Sequence, residues 1–303
     1  MRLLFKLWLS AVLIVPAGLV SSIRADGVSA TALAATDRTV YVTVTDGKGG
    51  AVSDLTAADF AVKEGGKDRE IVKVEPAKTG AHVALLVEER IAPDGSVRQG
   101  LFDFAKRVLP AAQVSLITIA LRNTTVVPYT TSVNAVVDGL NRLSLNPPPT
   151  SNLMEGILDL SKTLEQEHAP RPVIVVVAFA GGEASGASAN EVMTQLRQSG
   201  ATLYSVTLGS PGRGGTGQLG SIGDESGREQ VLGDGAKQSG GKRLEATITS
   251  AVPKALQQIA DDMSAQYMIT YALPDGVKPD RRLSVSVKRH GATLRAPVAI
   301  PDR

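Results

Sequence analysis

The sequence has no cysteine among its 303 residues. That excludes a thiol nucleophile, a cysteine-ligated zinc, a lipid-bearing N-terminal cysteine and any disulfide, so packing alone must hold the fold. Aromatic residues are equally sparse, at 4% of the chain, and the only tryptophan is Trp8. The aromatics beyond the N-terminal segment are Tyr41, Phe60, Phe102, Phe104, Tyr129, Phe179, Tyr204, Tyr267 and Tyr271. They are too few and too scattered to build stacking platforms for sugars or bases. The histidines His82, His168 and His290 stand far apart, and none lies in a His-Glu-x-x-His pattern. A zinc protease or a histidine-based triad therefore has no footing.

The first segment, residues 1–25, places Arg2 and Lys6 ahead of an apolar run from Leu7 to Val20, followed by small residues up to Ala25. That order is expected of a secretory signal peptide. The run is too short for a spanning helix and holds Pro16 and Gly18, so no membrane insertion is expected after cleavage. The expected location is periplasmic or extracellular. Cleavage removes Arg2, Lys6 and Arg24 and no acid, leaving 29 basic against 30 acidic residues. A nearly neutral mature chain gives no electrostatic argument for a nucleic-acid partner.

What is abundant is apolar residues, 43% of the chain, arranged in two grammars. After a small-residue linker at 26–36, residues 37–78 alternate β-branched and polar positions around the turns Asp46-Gly47-Lys48-Gly49-Gly50 and Glu64-Gly65-Gly66-Lys67. A small β module is expected there. From 79 to 263, strand-like runs such as "HVALLVE" and "PVIVVVAF" alternate with amphipathic helical segments. In one of these, Leu101, Phe104, Ala105 and Val108 share a face. This predicts a doubly wound, mostly parallel α/β sheet with helices on both faces. The exception is "VSLITIALRNTTVVPY", where only Arg122-Asn123 separates two strands, so one edge strand is expected to run antiparallel. Residues 264–303 return to alternation as a C-terminal β extension.

Phosphate-binding motifs are weak. Residues 212–217, "GRGGTG", fit Gly-x-Gly-x-x-Gly, but they lie late in the fold within a Gly- and Ser-rich stretch and open no apolar helix. "GAKQSGGKR" has Ala236 and Arg243 where a P-loop needs Gly and Ser or Thr. No enzyme activity is expected.

The order of a strand ending in acid, an amphipathic helix, an edge hairpin and further strand–helix units resembles a von Willebrand factor type A (vWA) domain. The flanks "VTVTDGKGGAVSDLTAADFAVKEGGKDREIVKVE" and "ALQQIADDMSAQYMITYALP" resemble the bacterial VWFA-related exported proteins. The resemblance implies a binding module whose relatives often hold Mg²⁺ or Mn²⁺ through Asp-x-Ser-x-Ser, a distant Thr and an Asp in an Asp-Gly turn, oxygen donors that suit a hard cation. Matching positions here are Glu88, Arg90 and Ala92, then Ser151 with Thr150 beside it, then Ala180 before Gly181, with Glu183 beyond.

The metal set is thus degenerate, and the expectation is a metal-independent, non-catalytic protein-binding or scaffold module with no cofactor. Its partner-binding candidates are Glu88, Glu89, Arg90, Thr150, Ser151 and Gly181. Arg90 is open to two readings: a plain surface arginine, or a fixed charge where a metal would sit, paired with Glu88, Glu89 or a partner's carboxylate. The alternative is a divalent-metal-dependent adhesion or ligand receptor with Mg or Mn on Glu88, Ser151 and Glu183.

Overall fold

The structure is a computed structural model that describes residues 35–92, 94–143, 151–209 and 225–301. The expected signal peptide, almost all of the linker, Thr150 and the 212–217 motif lie outside the described residues.

The chain enters as strand β1 (Ala35–Asp46), in which Val40, Val42 and Val44 are buried at alternate positions. Asp46 ends it by accepting hydrogen bonds from the backbone N–H groups of Lys48 and Gly50, both at 2.8 Å. Strands β2 (Phe60–Glu64) and β3 (Lys67–Arg69) form a hairpin closed by Gly65 and Gly66, whose φ values of 60° and 77° favour residues without a Cβ. Strand β4 (Ile71–Pro76) follows and leads to the α/β domain.

That domain runs β5 (Ala81–Glu88), α1 (Gly95–Val108), β6 (Ala112–Ile119), β7 (Asn123–Thr130), α2 (Val133–Asn141), α3 (Leu153–Gln166), β8 (Pro172–Phe179), α4 (Ala189–Ser199) and β9 (Thr202–Leu208). The description resumes with α5 (Glu225–Gln230), which passes through a π-helical turn at Val231–Gly235 into α6 (Ala236–Gln238). Then come β10 (Arg243–Ala246) and α7 (Val252–Ser264).

The six strands lie in the order β10-β9-β8-β5-β6-β7, parallel except for the antiparallel β6–β7 pair. Counted within the domain this is the doubly wound order 3-2-1-4-5-6 with its third strand reversed. The sequence reading of a mostly parallel sheet with one antiparallel edge strand is what the structure has. The turn at that edge is Ala120–Arg122 rather than Arg122-Asn123, because Asn123 already pairs with Ile119.

Strand β8 is apolar throughout, and β5 is apolar from Val83 to Val87, because helices cover both faces. On one face Leu85 and Val175 pack with Leu101, Phe104 and Leu256 of α1 and α7. On the other, Leu86 and Val176 pack with Met154, Ile157 and Val192 of α3 and α4.

The last strands are β11 (Gln266–Pro274), β12 (Leu283–Val287) and β13 (Ala292–Arg295). The N-terminal and C-terminal β segments are joined in one structure. Strand β1 pairs antiparallel with β11 from Ala35↔Pro274 to Thr43↔Gln266, and β12 pairs with β2. A four-stranded sheet, β13-β1-β11-β4, and a three-stranded sheet, β12-β2-β3, enclose a core of Val40, Val42, Phe60, Val62, Ile269 and Tyr271.

Within it the buried Glu64 carboxylate accepts from Arg38 at 2.9 Å, the Tyr271 hydroxyl at 2.7 Å and the Asp280 N–H at 2.8 Å. The α/β domain is therefore an insertion between β4 and β11. Buried Arg171 clasps the junction, donating to the carbonyls of Ala77 and Met263 and to the Gln266 side chain.

Candidate functional site

The strand order reverses between β5 and β8. The chain leaves β5 towards α1 on one face and leaves β8 towards α4 on the other, which opens a crevice at the carboxyl ends of these two strands. Glu88 is the last residue of β5, Phe179 the last of β8, and both deliver their groups into that crevice.

Glu88 is fully buried, and its two oxygens are saturated. Oε1 accepts from Arg90 Nη2 at 2.6 Å, from Arg90 Nε at 3.1 Å and from the Ser151 hydroxyl. Oε2 accepts from the Phe179 N–H at 2.7 Å and from Arg228 Nη2 at 3.3 Å. A second buried carboxylate, Glu183, receives Arg228 Nη1 at 3.3 Å on Oε2, with the Met154 and Ser185 N–H groups at 3.3 and 3.0 Å. Ser151 is held beside them by a parallel bridge to Glu183.

Arg90 continues over the site. It donates to the Gly181 carbonyl at 2.9 Å, and its guanidinium lies 5.1 Å from the centre of the Phe179 ring, a cation–π contact. The Gly181-Gly182 pair makes room for it. Both have positive φ, and a Cβ on Gly182 would lie 2.8 Å from the Arg90 terminal nitrogens. This is a direct reason for glycine after β8, since any side chain there would displace the guanidinium.

The structure thus brings Glu88, Arg90, Ser151, Gly181 and Glu183 together. Glu89 turns away, and its Oε1 accepts from Thr118 at 3.1 Å. Thr150 is outside the described residues. Arg228 of α5 is absent from the sequence-derived candidates, yet it is fully buried and reaches both carboxylates and the Phe179 carbonyl, the last at 2.6 Å. Its only sequence signal is an arginine on a helix with Val231 and Leu232 one turn on, a pattern that also describes an ordinary solvated face.

A magnesium or manganese ion needs several oxygen ligands with free lone pairs and net negative charge. Here both Glu88 oxygens and the Glu183 oxygen nearest to it are engaged by guanidinium or N–H donors, and two carboxylates face two guanidinium groups. Positions 90 and 92 carry a cation and a methyl group in place of hydroxyls. With these donors in place, the residues present do not fit a hard divalent cation. Among the described residues no group of three or more His, Cys, Asp or Glu side chains converges elsewhere as a metal site.

The class that this fold and crevice define is a vWA-like α/β domain carried on a β sandwich. No family profile and no curated protein matches the sequence. Several solved structures are similar in fold. Proximal thread matrix protein 1 from the mussel byssus is 12% identical, with a TM-score of 0.47 over 65% of this chain and 49% of its own. The chain therefore spans about half the length of the mussel protein. BatB from Bacteroides thetaiotaomicron is 14% identical, with a TM-score of 0.45 over 61% of this chain and 99% of its own. An aerotolerance-related membrane protein from Bacteroides fragilis is 16% identical, with a TM-score of 0.43 over 60% of this chain and 99% of its own. Among the described residues here, no helix is long and apolar enough to cross a membrane.

Proposed function

We propose that this chain is an exported, non-catalytic vWA-like module that binds a protein partner at the carboxyl edge of its central sheet and needs no metal to do so. The observation that carries the reading is the crevice itself. It lies where open α/β sheets bind their ligands, and its buried carboxylates are neutralised by the chain's own Arg90 and Arg228. That arrangement offers neither an open coordination position nor an unpaired acid or base for catalysis.

The same edge presents apolar anchors. Leu121, after β6, is 65% exposed, and Ile248, after β10, is 61% exposed. They flank the crevice at opposite ends of the sheet, separated by roughly four strand spacings or about 19 Å. A protein surface of ordinary interface size covers both.

Two measurements test the proposal. Thermal unfolding of residues 26–303 in chelator and in millimolar Mg²⁺ or Mn²⁺ is expected to give the same midpoint. A ligand at 100 times its dissociation constant would add about 2.7 kcal/mol, and such a rise, abolished by Ser151→Ala, would support the metal-dependent receptor instead. Affinity capture from native envelope extract should return a partner with the wild-type chain and lose it with Leu121→Asp and Ile248→Asp, while stability changes by no more than about 0.5 kcal/mol. Capture indifferent to both changes would move the binding surface elsewhere.

A further inference from the structure

We infer that the open edge of β1 from Asp37 to Tyr41 is a docking site for an extended peptide segment of another protein, which adds to the sheet as a strand and brings an acidic side chain. This edge lies at the amino ends of β8 and β9, away from the crevice at their carboxyl ends, and the inference stands independently of the function proposed for that crevice.

Main-chain groups alternate between the two edges of a strand. Val44 turns its N–H towards the β11 side, donating to the Ala265 carbonyl at 3.1 Å, so Asp37, Thr39, Tyr41, Thr43 and Thr45 present theirs to the other edge. There β13 serves Thr43 and Thr45, which lie opposite Arg295 and Thr293. The next position in that register sets Tyr41 opposite Pro297, and proline has no N–H to give. The ladder stops, and the chain turns to other partners. The Val298 N–H donates to the Gln238 carbonyl at 2.9 Å and the Ile300 N–H to the Arg281 carbonyl at 3.2 Å. Asp37, Thr39 and Tyr41 are left with N–H and C=O groups that no described residue pairs on that edge, over about 14 Å of strand.

Proteins usually blunt or cover such an edge. This one faces a cleft of about 370 Å³. Residues 37–41 line it in an unbroken run, with Met193 and Leu196 of α4, the starts of β8 and β9 and the C-terminal Ile300 supplying other walls. A run without alternation is the mark of a strand met edge-on, since a strand met face-on shows every second residue. A cleft of this size admits one extended chain rather than the edge of a second folded sheet, which favours a peptide over another copy of this protein.

The charges of the cleft call for an acid. Arg38 is neutralised by Glu64. Arg171 spends its N–H groups on the carbonyls of Ala77 and Met263 and on Gln266, and Arg197 reaches only the Thr194 hydroxyl. Neither meets a carboxylate among the described residues, His168 also lines the cleft, and Asp37 is its one lining acid. An adjoining cavity of about 230 Å³ shares His168 and Arg197 and adds one acid, Glu165, and one base, Arg281. A buried guanidinium ordinarily has a counter-charge, and an acidic side chain on the incoming strand supplies it. The loop before β8 is strained as well. His168 and Arg171 hold φ values of 48° and 41°, a left-handed conformation that non-glycine residues keep where a site demands it.

The test selects short random peptides displayed on phage against residues 26–303 and measures the enriched peptides on variants. Thr39→Pro removes an N–H from the open edge and none from the ladder with β11, so the fold should survive. Enriched peptides are expected to alternate β-branched residues around an acid. They should lose about tenfold or more in affinity on Thr39→Pro, or when their own main chain is N-methylated, and weaken on Arg197→Gln. Leu121→Asp and Ile248→Asp should leave them unchanged. Hydrogen exchange gives a reading that needs no variant: in the free chain the amides of Thr39 and Tyr41 should exchange faster than those of Val40 and Val42, and bound peptide should slow them.

Protection of Thr39 and Tyr41 equal to that of their neighbours in the free chain would overturn the inference. So would a selection that enriches nothing, or peptides indifferent to Thr39→Pro. Concentration-dependent dimerisation abolished by Thr39→Pro would overturn it too, by assigning the edge to a second copy.

Discussion

Replacing Glu88 with Gln is the most direct challenge to this account of the crevice. The amide keeps the shape of the side chain and removes the charge that faces Arg90 and Arg228. Arg90, already partly exposed, can turn towards solvent and lose little. Arg228 cannot turn, because it is fully buried, and it keeps Glu183 as its only carboxylate.

Breaking a buried ion pair by removing one partner costs about 3–5 kcal/mol, and the remaining pairing to Glu183 places this case near 3 kcal/mol. For a folded unit of this size that corresponds to a midpoint lowered by about 6 °C. The assay is urea and thermal unfolding of wild type, Glu88→Gln, Arg228→Met and the double variant. The double variant should be less destabilised than the sum of the two singles, since no buried charge then faces a neutral group at that contact. A Glu88→Gln chain within about 0.5 kcal/mol of wild type would refute the reasoning, because it would mean that the carboxylate is not the counter-charge of a buried guanidinium.

Two further outcomes follow from the β module and its junction. Arg171→Met should leave the carbonyls of Ala77 and Met263 and the Gln266 side chain without their donor, at about 1–3 kcal/mol for each acceptor that water does not reach. Limited proteolysis at Lys78, compared between wild type and variant, reads the loosened junction, and equal cleavage rates would count against the clasp. The carboxyls of Asp46, Asp59 and Asp280 are held below their ordinary value of 3.8, chiefly by backbone N–H donors from Gly50, Thr56 and Arg282. A lowered folded-state value means that their contribution is complete above pH 3.8 and disappears as the pH falls further through the folded-state values. Acid titration of the midpoint should therefore show a loss confined to that range and reduced in Asp46→Asn, whereas a loss already complete at pH 5 would point to other groups.

The alternation of apolar strands with amphipathic helices wrote the central sheet plainly into the sequence, because each element carries its own period. The antiparallel edge was equally legible, since a linker that short admits no crossover helix. The pairing of β1 with β11 was not, because a ladder between residues more than 200 positions apart leaves no local trace beyond two alternating segments. At the site, Glu88 and Arg90 were visible as charge at the end of an apolar strand. Arg228 was hidden for the opposite reason: it lies in a polar helical stretch, and only the folded geometry shows that its side chain points inward rather than to water. The turn of Glu89 towards Thr118 was also beyond reach, since two adjacent acids look alike until the backbone assigns them opposite directions.

The insertion of the α/β domain between β4 and β11 has a consequence for how the molecule comes into being. The chain emerges with β1 more than 200 residues ahead of β11, so β1 lacks its neighbour in β11 until the inserted domain has been made. The inserted domain is complete by Ser264 and can fold while that strand waits. For that interval β1 is an unpaired, Val-rich edge of the sort that recruits wrong partners. The arrival of β11, which completes that long ladder, thus also ends the period in which β1 is most vulnerable.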